Sequence, residues 1–503
     1  MKLPQTTITE AKSVPAGPFA LPGGFGPQSR GIALPAFCRV KGVIKPATDS
    51  DIGFEVWMPA KGWNGKFVGV GNGVFAGTID FGALAAAIQA GFAAAATDTG
   101  HIASPLSAQW ADGHPQKVID YGYRAIHLNA VIGKEIVRKY YASAPRWSYF
   151  ASCSTGGRQG LMEAQRFPDD YNGVLAGDPA NYFTHLVASA VWDSQAVDDS
   201  PASFIPPSKL NLLGKAVLAA CDAQDGVKDG IVSYPMRCHF NPRTLLCKGA
   251  DSNGCLTAPQ VVAVEKIYAG PSNSKGQNLF PGFSPGSEGG WALWIVGSAP
   301  DRSIDYPIGS QFFSNFVFDD PTWNPRSLNF ESDMTLTDKK LASVLNATDP
   351  NLSRFEARGG KLILYHGWAD AAIPPMNTVN YFKSVVGAMG EKQTGKFVRL
   401  YMVPGMQHCG GGVGPDSFGA APSVNVDAEH SMFDSLELWV EHGTAPGAII
   451  ATKRSNPFNP GSVVQMTCPL CPYPEVARYK GSGDTNQAAN FICATEPQGY
   501  DAH

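Results

Sequence analysis

The chain has 503 residues, too many for one compact hydrophobic core, and its length predicts two domains. Its net charge of -4, with 16% charged residues, leaves no basic stripe for nucleic acid. The longest apolar run, Phe81 to Ala96, is broken by Gln89 and Gly91, which excludes a transmembrane span there.

Residues 1–20 hold no continuous apolar core, so no signal peptide is visible, and an exported protein would begin here near its mature end. Gly31 to Ile44 and Asp51 to Met58 alternate in β fashion between Pro and Gly punctuation, which predicts an N-terminal β region over residues 1–65. Lys66 to Val70 reads as a short strand ending in the loop Gly71 to Gly77, where the backbone can approach a substrate oxygen closely. The Ala-rich run from Phe81 predicts a core helix, then a buried strand over Phe92 to Thr97. Tyr121 to Tyr141 carries apolar residues at helical spacing and predicts a long amphipathic helix.

Trp147 to Ala151 is a β-prone run that meets the small-residue turn Ser152-Cys153-Ser154-Thr155-Gly156-Gly157, with a helical segment over Gln159 to Arg166. A serine on such a turn has its hydroxyl exposed at a strand tip, the nucleophile-elbow pattern G-x-S-x-G with Ser152 in place of the first Gly. An ordinary glycine-rich loop would read the same in isolation. Gly173 to Gly177 continues the sheet, and from Asp178 to about Asp338 the α/β patterning stops.

Within that stretch Asp222, Asp225 and Asp229 stand at spacings of three and four. With the carbonyls of Val227 and Ile231 they offer the several oxygens a hard cation such as calcium needs. A solvated Asp/Gly turn is the alternative, and Ser233 at the twelfth position excludes an EF-hand. The ten cysteines predict a disulfide framework and an oxidising compartment, secreted or periplasmic. Cys221 and Cys238 flank the acidic loop, Cys247 and Cys255 would close a short loop beside it, and Cys471 is expected to pair with Cys493. Zinc is the weaker reading, because Cys468-Pro469-Leu470-Cys471 lacks a second ligand pair.

Regular patterning returns with the strand Lys361 to Leu364, whose following loop ends in Asp370, and Lys396 to Val403 leads to His408. The order Ser154, Asp370, His408, each residue just after a strand, is the α/β-hydrolase order. Cys153 precedes the serine and Cys409 follows the histidine, where a disulfide would tie the two loops together.

With these residues, and with Ala96-Thr97-Asp98-Thr99-Gly100-His101, Tyr123-Arg124-Ala125-Ile126-His127, Glu163-Ala164-Gln165-Arg166-Phe167-Pro168 and Cys471-Pro472-Tyr473-Pro474, the chain resembles the tannase and feruloyl esterase family, which includes mono(2-hydroxyethyl) terephthalate hydrolase. The resemblance implies the Cys153–Cys409 bond and an α/β-hydrolase fold with a large lid domain inserted between the nucleophile and acid strands. Residues 1–177 and 340–503 would form the core, and 178–339 the lid with a structural calcium. It also implies an oxyanion hole from the amides of Thr155 and of Gly73 or a neighbour. His101, Arg124 and His127 are expected to anchor loops near the elbow.

The implied chemistry is serine carboxylic-ester hydrolysis through an acyl-enzyme, with no organic cofactor and a small aromatic ester as substrate. Ser154 would attack, His408 would take its proton, and Asp370 would orient His408. Trp294, Phe312 and Phe313 are candidate aromatic walls, although core packing would explain each of them as well. The terephthalate branch clamps a free carboxylate with a lid arginine, whereas Ser303 to Asn324 contains no Arg or Lys and Arg302 lies just outside. Feruloyl-type esters therefore rank first, gallate esters second and terephthalate monoesters third. A serine peptidase and a non-catalytic calcium-binding secreted protein are the readings from other classes, while the oligomeric state and the partners of Cys38 and Cys468 stay open.

Overall fold

The computed structural model describes residues 3–22, 31–424, 427–456, 459 and 461–495. Its centre is a nine-stranded sheet built from β1 (Thr6–Val14), β2 (Phe37–Ile44), β3 (Ile52–Pro59), β4 (Lys66–Val70), β5 (Ala93–Thr97), β6 (Trp147–Cys153), β7 (Gly173–Gly177), β8 (Lys361–Gly367) and β9 (Val398–Val403). The spatial order is β1-β2-β3-β5-β4-β6-β7-β8-β9. The first three strands and the β3–β5 pair are antiparallel; every pair from β5 to β9 is parallel.

The parallel strands are apolar on both faces because helices cover both. Phe150, Val174 and Leu364 pack on one face with Ile126 and Ala130 of the helix Ala125–Tyr141 and Leu161 of the helix Thr155–Arg166. Tyr149, Leu175 and Ile363 pack on the other with Leu84 of the helix Phe81–Gln89 and Leu436 of the helix Met432–His442. This is a mixed α/β fold with a large central sheet.

Two boundaries differ from expectation. The amphipathic helix begins at Ala125, with a wider turn over Asp120–Arg124, and the helix after the elbow begins at Thr155 rather than Gln159. Glycine at 156 and 157 permits the earlier start. A Cβ on Gly156 would lie 1.9 Å from Ser152 Oγ, and one on Gly157 would lie 2.4 Å from the Gly177 carbonyl. Patterning did not mark the two C-terminal ladders, β10 (Ile449–Arg454) with β11 (Val464–Leu470) and β12 (Glu475–Tyr479) with β13 (Phe491–Thr495).

Between β7 and β8 the chain forms mostly helices, including Phe183–Asp198, Pro207–Cys221, Ala258–Ala269, Glu288–Trp294 and Asp305–Phe312. They supply most of two apolar clusters. One of these takes in Phe75 from the loop after β4 and Ile373 from the loop after β8, so the insertion rests on loops at the carboxyl ends of the parallel strands. Open α/β sheets bind their ligands at that edge.

Candidate active site

Ser154 sits between strand β6 and its helix with φ 66° and ψ -126°, a conformation that a non-glycine residue holds only under constraint. The constraint is local hydrogen bonding. The Ser154 amide donates to the Gly177 carbonyl at 2.9 Å, and the Ser154 carbonyl accepts from Ala180 and Arg158 amides, each at 3.1 Å.

His408 Nε2 stands 3.0 Å from Ser154 Oγ, and His408 Nδ1 stands 2.8 Å from Asp370 Oδ2. Asp370 Oδ1 accepts from the amides of Ala372 (2.7 Å) and Ile373 (3.0 Å). Asp370 is fully buried, which opposes its charge, but His408 and His366 more than offset the burial and hold its carboxyl below the usual range. Burial disfavours protonated His408, yet the Asp370 charge outweighs this and raises the imidazole above its ordinary value. A neutral His408 with its Nδ1 proton on Asp370 leaves Nε2 free to accept the serine proton.

Two residues with no role in the sequence reading hold this constellation. Asp178, at the end of β7, accepts the Gly367 amide at 2.9 Å on one oxygen and the Cys409 amide at 2.6 Å on the other. His366, fully buried on β8, lies 3.1 Å from Asp370 Oδ2 and 2.7 Å from Thr378 Oγ1. Position gave one usable signal, since Asp178 directly follows a buried parallel strand.

Cys153 is bonded to Cys409, joining the residues next to the serine and the histidine. Cys221–Cys238, Cys247–Cys255 and Cys471–Cys493 are also bonded, and Cys38 and Cys468 are free thiols.

A cavity of about 50 Å³ opens beside Ser154 and His408. Trp294 lines it, with its ring edge-on to His408 at 5.3 Å. Phe312 and Phe313 do not line it. Both are fully buried in an aromatic cluster, Phe312 against Phe183 and Phe316, and Phe313 against Phe318 and Trp323, so ring–ring packing claims them instead. Phe183 and Phe283 supply the aromatic walls in their place. Arg302 is exposed and outside the lining. In the loop after β4, Val74 rather than Gly73 borders the cavity, opposite Thr155, and the Val74 carbonyl accepts from Thr155 Oγ1 at 2.8 Å. His101 Nε2 bonds the Phe75 carbonyl at 2.9 Å, Arg124 bonds Asp120 at 2.5 Å, and His127 bonds Asp170 at 2.5 Å, and none of the three lines the cavity.

In the acidic loop, Asp222 Oδ1 accepts from the amides of Asp229 and Gly230 at 3.1 and 3.0 Å. Burial raises Asp225 and Asp229, the latter to about 6, and repulsion between the carboxylates adds to it. Among the described residues no hydrogen bond reaches the carbonyls of Val227 or Ile231. Carboxylates and free carbonyls are the oxygen donors a hard cation takes, but among the described residues the three carboxylates do not come within 4.8 Å of one another.

The family of tannase and feruloyl esterase matches residues 38–494. An uncharacterized esterase of Xanthomonas campestris pv. campestris is 43% identical over 99% of this chain and 91% of its own length. Mono(2-hydroxyethyl) terephthalate hydrolase of Piscinibacter sakaiensis is 35% identical over 92% of this chain and 86% of its own. The crystal structure of feruloyl esterase B from Aspergillus oryzae superposes with a TM-score of 0.90 at 28% identity, covering 98% of both chains. With a sheet of this order, a serine on a strained turn and relatives matched along nearly their full length, the chain belongs to the tannase and feruloyl esterase family.

Proposed function

We propose that the chain hydrolyses esters of aromatic acids, feruloyl type first, with Ser154 as nucleophile, His408 as general base and then acid, and Asp370 as the residue that orients it. The observation that carries this reading is the unbroken path from Ser154 Oγ to His408 at 3.0 Å and from His408 to Asp370 at 2.8 Å. His408 takes the serine proton as Oγ attacks the ester carbonyl, then gives it to the leaving alkoxide; water cleaves the acyl-enzyme by the same route. The developing oxyanion would be held by the Thr155 amide, which lies in the first turn of its helix and lacks an intrahelical acceptor, together with an amide of the Gly73–Val74 turn.

The segment 178–339 is proposed as a lid domain over a core of 1–177 and 340–503; its support is the cavity, which takes most of its walls from that segment. The loop holding Asp222, Asp225, Val227, Asp229 and Ile231 is proposed to bind structural calcium. Four disulfides support an oxidising destination, secreted or periplasmic. Gallate and terephthalate monoesters are the alternative substrates. The terephthalate reading is disfavoured because, among the described residues, His408 is the only His, Arg or Lys that lines the cavity.

The test is hydrolysis of methyl ferulate, methyl gallate, mono(2-hydroxyethyl) terephthalate and p-nitrophenyl acetate by wild type and Ser154→Ala. Loss of all activity in the variant is expected, with methyl ferulate the best aromatic substrate. Retained activity would remove Ser154 as nucleophile, and a preference for the terephthalate ester would reverse the ranking.

A further inference from the structure

The cavity beside Ser154 is apolar along most of its length and acidic at one part of its wall. The helix Phe183–Asp198 begins next to the nucleophile, three residues after Ala180, whose amide donates to the Ser154 carbonyl. It turns Phe183, Leu186, Val187, Ala190 and Asp193 toward the cavity at helical spacing. Asp193 therefore stands about 15 Å along the helix from Phe183. Asp305, on the helix Asp305–Phe312, lines the same space. These two helices meet closely where Gly309 faces Val191: a Cβ there would lie 2.6 Å from Val191 Cγ2.

Asp193 is 1% exposed and Asp305 4%. Asp193 Oδ1 has no hydrogen-bond partner, and Oδ2 meets only Ser189 Oγ, at 3.4 Å. Among the described residues Asp305 has no side-chain hydrogen bond, and neither carboxyl has an ion pair. Native proteins seldom leave a buried carboxyl unpaired, so Asp193 with its unpartnered Oδ1, beside the unpaired Asp305 on the same cavity wall, points to a ligand group that completes the bonding. Burial raises both carboxyls well above the usual range, and Asp193 adds to the rise at Asp305. Neutral carboxyls each offer one O–H donor and an acceptor. A hydroxyl matches that pattern because it also donates and accepts. A carboxylate would add a third acid group with no cation beside it.

We propose that Asp193 and Asp305 hydrogen-bond a ring hydroxyl of the acyl group, which makes them the specificity determinants that select phenolic acyl esters over ring-unsubstituted and ring-carboxylated ones. The proposal rests on the reading of this cavity as the acyl site of Ser154.

The test is the ratio of kcat/KM for methyl p-coumarate, which carries a ring hydroxyl, to that for methyl cinnamate, which does not. Mono(2-hydroxyethyl) terephthalate serves as the carboxylated comparison. Wild type is expected to prefer the coumarate by about 10- to 100-fold and to cleave the terephthalate ester least, since an analogue that leaves buried polar groups unpaired is rejected. Asp193→Ala and Asp305→Ala should bring the ratio toward one, and Asp193→Asn and Asp305→Asn, which keep a donor and an acceptor, should retain part of it. Melting curves identify variants that fold. A wild-type ratio near one overturns the proposal without any variant, as does an unchanged ratio in both folded alanine variants. If Ser154→Ala still cleaves p-nitrophenyl acetate, the nucleophile reading has failed; if it does not and the ratio is one, only the hydroxyl assignment has failed.

Discussion

Asp178 accepts the Cys409 amide at 2.6 Å and thereby fixes the loop that presents His408. Its second oxygen takes the Gly367 amide, so one buried carboxyl at the end of β7 joins the β8 terminus to the histidine loop. Asp178→Ala leaves two inward-facing amides without an acceptor, a cost of about 2–5 kcal/mol in stability. Prediction: kcat falls about 10- to 100-fold with little change in KM, and the melting temperature drops. Asp178→Asn keeps one good acceptor and should lose less. Steady-state kinetics with a thermal melt decide it; an unchanged kcat in folded Asp178→Ala would show that the His408 loop holds itself.

In the proposed mechanism His408 acts as a base only when neutral. Its pKa is raised from 6.5 because Asp370 outweighs the effect of burial. The rate should therefore rise with pH through a midpoint above 6.5 and level off on the alkaline side. Asp370→Asn removes the charge that raises His408, so the acid limb should move to lower pH while the plateau falls by about a thousandfold or more. A pH profile of kcat/KM for both proteins checks this, and a limb that does not move would separate Asp370 from the titrating group.

The Cys153–Cys409 bond closes a loop of 256 residues in sequence. In the chain-entropy account such a loop stabilises by about 5 kcal/mol. Cys153→Ala with Cys409→Ala should lower both the melting temperature and kcat, because the serine and histidine loops then keep only their hydrogen bonds in common. Equal kcat in the double variant would mean that the covalent link serves stability alone.

The proposed calcium site at Asp222, Asp225 and Asp229 predicts a chelator effect. A metal at a hundredfold excess over its Kd stabilises by about 2.7 kcal/mol, so removing it should lower the melting temperature by several degrees, and added calcium should restore it. Asp225→Asn should abolish the difference between the two conditions. A melt insensitive to both treatments would leave the loop an acidic turn.

The hydrogen-bonded set Ser154, His408 and Asp370 was legible because each residue follows a run that reads as a buried strand, and their order is one that α/β-hydrolases repeat. Asp178 was not, since its partners, Gly367 at the end of β8 and Cys409 in the loop after β9, lie 189 and 231 positions away, and only the folded sheet brings them together. Phe312 and Phe313 misled for a different reason. Aromatic density marks a buried place, but whether a ring faces a cavity or another ring depends on helix packing. Asp193 and Asp305 were silent because a lone carboxylate in a helical stretch reads as a solvated face until its burial is known. The C-terminal ladders escaped notice because their strands are half-exposed and carry weak alternation.

The reacting groups and the walls around them come from different stretches of chain. Ser154 and His408 follow sheet strands, whereas Phe183, Trp294 and Asp305 belong to the segment between β7 and β8. That segment supplies nearly all of one apolar cluster and most of a second, which it shares with Phe75, Tyr121 and Ile373, so most of its cavity-facing positions rest on its own packing rather than on the sheet. On the proposed reading, exchanging this one contiguous stretch between relatives would carry the choice of acyl ring with it, while the proposed bond-breaking residues stayed in place.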